Sequence, residues 1–156
     1  MKCTDDLGYL LNKAARLSKL KVNQKLSEIG LTFPQFLVVK HLDQSDQGGA
    51  ELVSHTPASI AGYLGYDRPT ITGIIDRMVK QGFVLREINP TDRRSQTITL
   101  TQKSNDLIEK MDYYFAEVNN QTLTGFQIAE SQMLKNYLLR LIDNLDEPKG
   151  GPAHAM

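Results

Sequence analysis

The sequence predicts a mainly α-helical chain carrying one small β-hairpin. Two observations carry that expectation. Apolar residues recur three and four positions apart through most of the chain, the spacing of one helix face. Between Phe83 and Leu100 the pattern changes to β-branched and apolar runs on either side of a turn-forming segment, the pattern of two paired strands.

The elements follow in order. Asp5 or Asp6 can start a first helix, with an acid at the positive end of its dipole; Leu7, Leu10, Leu11, Ala14, Leu17, Val22, Leu26 and Ile29 form its stripe, and Gly30 stops it. Thr32-Phe33-Pro34-Gln35 reads as a capping box, with Leu31 and Phe36 placed as a hydrophobic staple, and opens a helix to about Leu42. Residues 43–55 are polar and contain glycine, hence a loop, in which Leu52-Val53 can add a short strand.

Thr56-Pro57 starts a short helix with proline at its favoured first position and Ile60, Ala61 and Leu64 inward. Gly65-Tyr66-Asp67 is a turn. Asp67 or Arg68 then caps a helix that buries Ile71, Ile74, Ile75, Met78 and Val79 and ends at Gly82. Strands are expected at Phe83 to Ile88 and Ser95 to Leu100, joined by Asn89-Pro90-Thr91-Asp92-Arg93-Arg94, a tip ending in two arginines. Thr101 can cap a long helix carrying Leu107, Ile108, Met111, Phe115 and Val118. A last helix carries Ile128, Met133, Leu134, Tyr137, Leu138, Leu141, Ile142 and Leu145.

This order sets the expected segments: an N-terminal helix over 1–30, a lobe of short helices and a hairpin over 31–101, C-terminal helices over 102–147 and a disordered tail over 148–156. The lobe already has a core of its own, so the stripes on the terminal helices need another surface. A twofold-related copy supplies one.

Composition bounds the function. The chain has 156 residues, 40% hydrophobic and 23% charged, within the range of an ordinary globular protein. No stretch approaches the ~18 apolar residues of a membrane span, and Met1-Lys2-Cys3-Thr4-Asp5-Asp6 opens without an apolar signal region, so a cytoplasmic location is expected. A single cysteine excludes an internal disulfide and a multi-cysteine metal site. Net charge is zero, but it is unevenly spread. Arg68, Arg77, Lys80, Arg86, Arg93, Arg94 and Lys103 outnumber Asp67, Asp76, Glu87 and Asp92 between residues 66 and 103, while the segment after them is acidic in excess. A basic patch on a neutral protein can bind nucleic acid, with strong salt dependence. Neither a nucleophile–base pair, a phosphate loop nor a metal set is visible, so no enzyme and no cofactor are expected.

Two short helices joined by a tight turn and followed by a hairpin describe a winged helix-turn-helix. Its second helix fits a DNA major groove, and a basic hairpin tip reaches the adjacent minor groove. Several segments resemble the MarR family of regulators. Leu31-Thr32-Phe33-Pro34-Gln35-Phe36 is similar to the opening of its second helix, Thr56 to Gly65 to its first helix-turn-helix element, and Ile71 to Val84 to its recognition helix and following strand. Asp92-Arg93-Arg94-Ser95 is similar to its wing signature and Leu100-Thr101 to the exit from the wing. The resemblance spans about residues 7–146.

The resemblance implies a homodimer on pseudo-palindromic double-stranded DNA, with many members acting as repressors released by a small ligand or by oxidation. It places Arg94 at the minor-groove position of the wing, with Asp92 holding its guanidinium and Arg93 meeting phosphate. Arg68, Thr70 and Thr72 are assigned base or phosphate contacts, and Arg77 either DNA or a wing acid. For each the competing reading is a solvated turn or helix face. The effector crevice implied by the family would draw on Tyr9, Lys13, Arg16 and His41, which suit a phenolic or carboxylate compound; the competing reading makes them surface or interface residues.

Gly73 departs from the family pattern, which often has a long polar side chain there, as does Ser104, where glycine is usual, and as does the long 43–55 loop. Cys3 lies about five residues before the reactive cysteine of oxidation-sensing members and reads as an incidental thiol. His41, His55 and His154 lack ligand spacing, so no zinc site is expected. A winged-helix protein-interaction module is the competing function. The two arginines at the tip separate the readings, since a protein-docking wing has no need of them.

Overall fold

The structure, a computed structural model, describes residues 6–47, 55–90, 92 and 95–146. The order is α1 (Leu7–Ser27), α2 (Phe33–Gln47), α3 (Pro57–Leu64), α4 (Arg68–Lys80), β1 (Val84–Ile88), β2 (Gln96–Leu100), α5 (Gln102–Asn105), α6 (Ile108–Thr122) and α7 (Ile128–Leu145). Among the described residues, the mainly helical chain with one antiparallel hairpin is the fold class expected from the sequence. The chain divides into two compact units, residues 1–118 and 119–156. No described helix is long and apolar enough to cross a membrane.

The helix starts are fixed by side-chain caps. Asp6 accepts from the Gly8 and Tyr9 amides at the head of α1, and Thr56 from the Ser59 amide at the head of α3. Gln35 reaches back to the Thr32 amide at 2.9 Å, as a capping box requires. The Phe33 amide is taken by Asn23 of α1 at 2.7 Å, so one helix caps the next. Gly65 ends α3 at φ 71°, a left-handed conformation that favours glycine.

Two elements differ from expectation. The second helix runs on to Gln47 rather than ending near Leu42, so only the end of the 43–55 segment is non-helical among its described residues. The apolar stripe stops at Leu42, but the helix does not need one to continue: Lys40 pairs with Asp43 one turn on. Residues 48–54, with the Leu52-Val53 strand expectation, lie outside the described residues, as do Cys3 and the 148–156 tail.

The helix expected from Thr101 is broken into α5 and α6. Thr101 caps α5, and the chain tightens at Leu107, whose amide bonds to Ser104 three residues back at 3.0 Å. Ser104 is pinned there. Its side chain is wholly buried and its hydroxyl donates to the Phe83 carbonyl at 2.6 Å.

The core of the first unit joins Val22 and Leu26 of α1, Val38, Val39 and Leu42 of α2, Ile60 of α3, Ile71, Ile74, Ile75 and Met78 of α4, Phe83, Val84, Ile98 and Met111. It is therefore wider than residues 31–101, taking in the second half of α1 and the start of α6. A polar seam flanks it: Tyr114 donates to Glu28 at 2.7 Å, and Lys25 pairs with Glu117 at 3.0 Å. The strands pair from Val84↔Leu100 to Ile88↔Gln96. The Ile98 amide also donates to the His55 carbonyl at 2.8 Å, tying the hairpin to the segment entering α3.

Asp67 heads α4, accepting from the Thr70 amide at 2.8 Å and from its hydroxyl at 2.6 Å. The Thr70 hydroxyl and then the Thr70 amide hold its carboxyl below the usual carboxylate range. A depressed folded pKa makes the cap's contribution present at neutral pH and lost as pH falls through the folded value. We expect Asp67→Ala to lower the urea midpoint at neutral pH, with the gap to wild type closing in acid.

Candidate nucleic-acid interface

The geometry of α4 follows from its buried stripe. Ile71, Ile74, Ile75 and Met78 face the core, which turns Arg68, Thr70, Asp76, Arg77 and Lys80 to solvent, with Thr72 and Gly73 partly covered between them. Thr72 donates its hydroxyl to the Arg68 carbonyl at 2.9 Å, and Thr70 donates its own to Asp67. Both hydroxyl protons are thus committed within the helix. Their oxygens keep lone pairs, which suit base amino groups, while their methyl groups suit thymine methyls. A phosphate, which only accepts, would require either hydroxyl to break its internal bond.

Arg68 opens onto a cleft of about 210 Å³ that it shares with Thr56, Pro57, Ala58, Ser95 and Gln96. The heads of α3 and α4 and the base of β2 therefore converge on one polar notch. The hairpin tip folds back through the Asn89 amide to the Ser95 carbonyl and the Ser95 amide to the Asp92 carbonyl, each at 2.9 Å. Arg93 and Arg94 lie outside the described residues.

The brace between recognition helix and hairpin has the opposite polarity to the one expected. It joins Asp76 of α4 to Arg86 of β1, with the Arg86 guanidinium donating to Asp76 Oδ1 at 2.5 Å. The candidate Arg77 instead lies along its own helix, its Nη1 3.7 Å from where a Cβ on Gly73 would sit. Sequence reasoning missed this pair because its members are ten positions apart on different elements. The alternation along β1 was the available signal: Val84 and Arg86 share a face, so Arg86 had to meet the helix.

The C-terminal end of α4 is held as firmly as its head. Gln35, buried in α2, donates to the Gln81 side chain at 2.8 Å. Lys103 donates to the Gln81 carbonyl at 2.8 Å, and Thr101 to the Gly82 carbonyl at 2.7 Å.

A second cavity, of about 380 Å³, opens between α2, α3 and α6. Of the four effector candidates, His41 lines it; Tyr9, Lys13 and Arg16 stand on α1, outside its lining, with the Lys13 ammonium 5.8 Å from the Tyr9 ring. Sequence reasoning missed Lys40, Tyr63, Asp112 and Phe115, which only tertiary folding brings to His41. Among the described residues, no group of three or more His, Cys, Asp or Glu side chains could hold a metal.

Two substitutions test this geometry. Gly73→Ala places a methyl group in ordinary van der Waals contact with Arg77 Nη1 and removes the cost of a mid-helix glycine, so urea titration should show a gain of about 1 kcal/mol. Arg86→Ala should broaden the amide resonances of β1 and β2, and the exchanged pair Asp76→Arg with Arg86→Asp should restore them.

A model of the MarR family matches residues 31–96. Among solved structures, the transcriptional regulator PA3341 is 31% identical, with a TM-score of 0.74 over 92% of this chain and 100% of that one. BpsR of Bordetella bronchiseptica, whose DNA binding is regulated by 6-hydroxynicotinic acid, is 26% identical, with a TM-score of 0.77 over 94% of this chain and 99% of that one. A mutant MarR of E. coli complexed with operator DNA has the same fold at 22% identity, with a TM-score of 0.76 over 87% and 93% of the two chains. The family match falls on the helices and hairpin that frame α4, and the likeness to PA3341 extends it along nearly the whole sequence: the chain belongs to the MarR family of transcriptional regulators.

Proposed function

We propose that the chain is a cytoplasmic, homodimeric repressor that binds a pseudo-palindromic operator in double-stranded DNA and is released by a small-molecule effector. The observation that carries this reading is the outward face of α4. A helix pinned at both ends and buried along one stripe presents Arg68, Thr70, Thr72 and Arg77 together, beside a braced hairpin. Thr70 and Thr72 read base edges. Arg68 meets the backbone near the polar notch, and Arg93 and Arg94 reach the flanking groove from the tip, with Asp92 orienting Arg94.

The homodimer is supported by apolar side chains left in water. Leu7, Leu10, Leu17 and Leu20 of α1 are exposed. No residue of the 18-residue α7 is buried, although it carries Ile128, Leu134, Leu138, Ile142 and Leu145. An exposed apolar stripe on each of these helices marks an association site. A twofold axis then sets two copies of α4 about 34 Å apart, one turn of DNA.

The effector reading rests on the cavity between α2, α3 and α6. Its lining includes Tyr63 and Leu64 of α3, the helix that leads into α4. A compound seated there biases α3 and hence the spacing of the two recognition helices, provided it binds one spacing better than the other. BpsR gives a precedent for a ligand-regulated relative.

Fluorescence anisotropy with DNA from upstream of the protein's own gene, against scrambled DNA, tests the reading. Wild type should prefer its own DNA, and Arg94→Ala should weaken that binding by about 1–3 kcal/mol. Equal, weak binding to both DNAs, unmoved by the substitution, would favour a protein-interaction module. Sedimentation at micromolar concentration should give twice the 17.5 kDa chain mass; a monomer would contradict the twofold.

A further inference from the structure

The cavity between α2, α3 and α6 has a charge pattern that selects among effectors, an inference that rests on reading it as the effector site. Aromatic faces dominate its walls. Phe36 and Phe115 stack with centroids 5.3 Å apart, and Tyr63 lies on His41 at 4.2 Å. Tyr63 is 67% exposed, so its ring is open to a ligand.

Two basic residues line the cavity, yet neither offers a positive charge to an incoming anion. The Lys40 ammonium sits 2.9 Å from Asp112 Oδ1 and 3.1 Å from its Oδ2, and 3.4 Å from Asp43 Oδ2. One cation is thus held by two carboxylates. Burial works against the Lys40 charge, but the Asp112 hydrogen bond and the charges of Asp112 and Asp43 outweigh it and raise its pKa. Burial, and then the neighbouring His55, hold His41 below the usual imidazole range, so that ring is neutral at neutral pH.

The sum over Lys40, Asp43 and Asp112 is one negative charge beside a set of ring faces. A ligand carboxylate would either displace Asp112 from Lys40 or lose its own hydration beside two like charges. A cation meets attraction from both the carboxylates and the negative faces of the rings. Asp112 can serve it without releasing Lys40, since its side chain is 51% exposed.

We propose that the effector of this pocket is a flat aromatic cation, with Asp112 as its charge partner and the Tyr63 and Phe115 rings as its stacking faces. This departs from the phenolic or carboxylate class expected from the sequence, because folding places Asp112 against Lys40.

Calorimetric titration of the full chain with 1-methylquinolinium and with 1-naphthoate tests the proposal. The probes are two-ring compounds of similar size and opposite charge. At neutral pH and about 0.15 M salt, the quinolinium should bind at least about ten-fold more tightly. Asp112→Asn should remove the preference for the cation, because Asp43 then only balances Lys40, whereas loss of a purely structural contact would weaken both probes alike. Asp43→Asn should narrow the gap without reversing it, and carries the comparison if the Asp112 variant does not fold. Equal binding, or tighter naphthoate binding, in the wild type overturns the charge selection and leaves the effector pocket standing. Binding of neither probe overturns both.

Discussion

Ile71, Ile74, Ile75 and Met78 enter the core from one side of α4 and meet Val38, Val39, Ile60 and Ile98 there. Each side chain so buried contributes about 2 kcal/mol, and together they approach the whole net stability of a small domain. This stripe fixes the rotation of α4 about its axis. At 100° per residue, a helix whose inner face is settled has no freedom left in its outer face. The residues turned outward are chosen by the core rather than by any contact they make.

Rotation alone does not fix a helix along its axis or in tilt. Here the ends do that work. Asp67 closes the head of α4 with two hydrogen bonds to Thr70, and Gln81 closes the tail through Gln35 and Lys103. The turn beyond it is stitched by Thr101 and Ser104 to the carbonyls of Gly82 and Phe83. Ser104, a departure from the family pattern expected from the sequence, adds a hydrogen bond through its hydroxyl. Asp76 and Arg86 then carry the orientation of the helix into the hairpin.

What the sequence made legible was local. Thr56 caps the helix it precedes, Asp6 and Asp67 are each one of the two neighbouring caps the sequence offered, and the apolar spacing of α4 and the change of period at the hairpin are read directly from the chain. The end of α2 was not legible, because the apolar stripe stops before the helix does. The break before α6 was not legible either, because it depends on Ser104 meeting a carbonyl twenty-one positions away. The outward residues of α4 follow from its period, but the polarity of the brace and the lining of the cavity between α2, α3 and α6 do not. Lys40 and Asp112 are seventy-two positions apart. Read singly, Lys40 is a surface cation and His41 a lone imidazole; only together with Asp112 and Tyr63 do they define a chemistry.

The bond from Ile98 to the His55 carbonyl also bears on how copies of this protein behave when crowded. It occupies the outer edge of β2, leaving β1 as the open edge of the two-stranded sheet among the described residues. At the centre of that edge stand Arg86, committed to Asp76, and the exposed Glu87. Two such edges meeting antiparallel with Glu87 opposite Glu87 would bring like carboxylates close together, which disfavours that register. A second copy pairing on that edge in this register would meet like charge, even though Leu85 and Ile88 leave apolar surface on the hairpin.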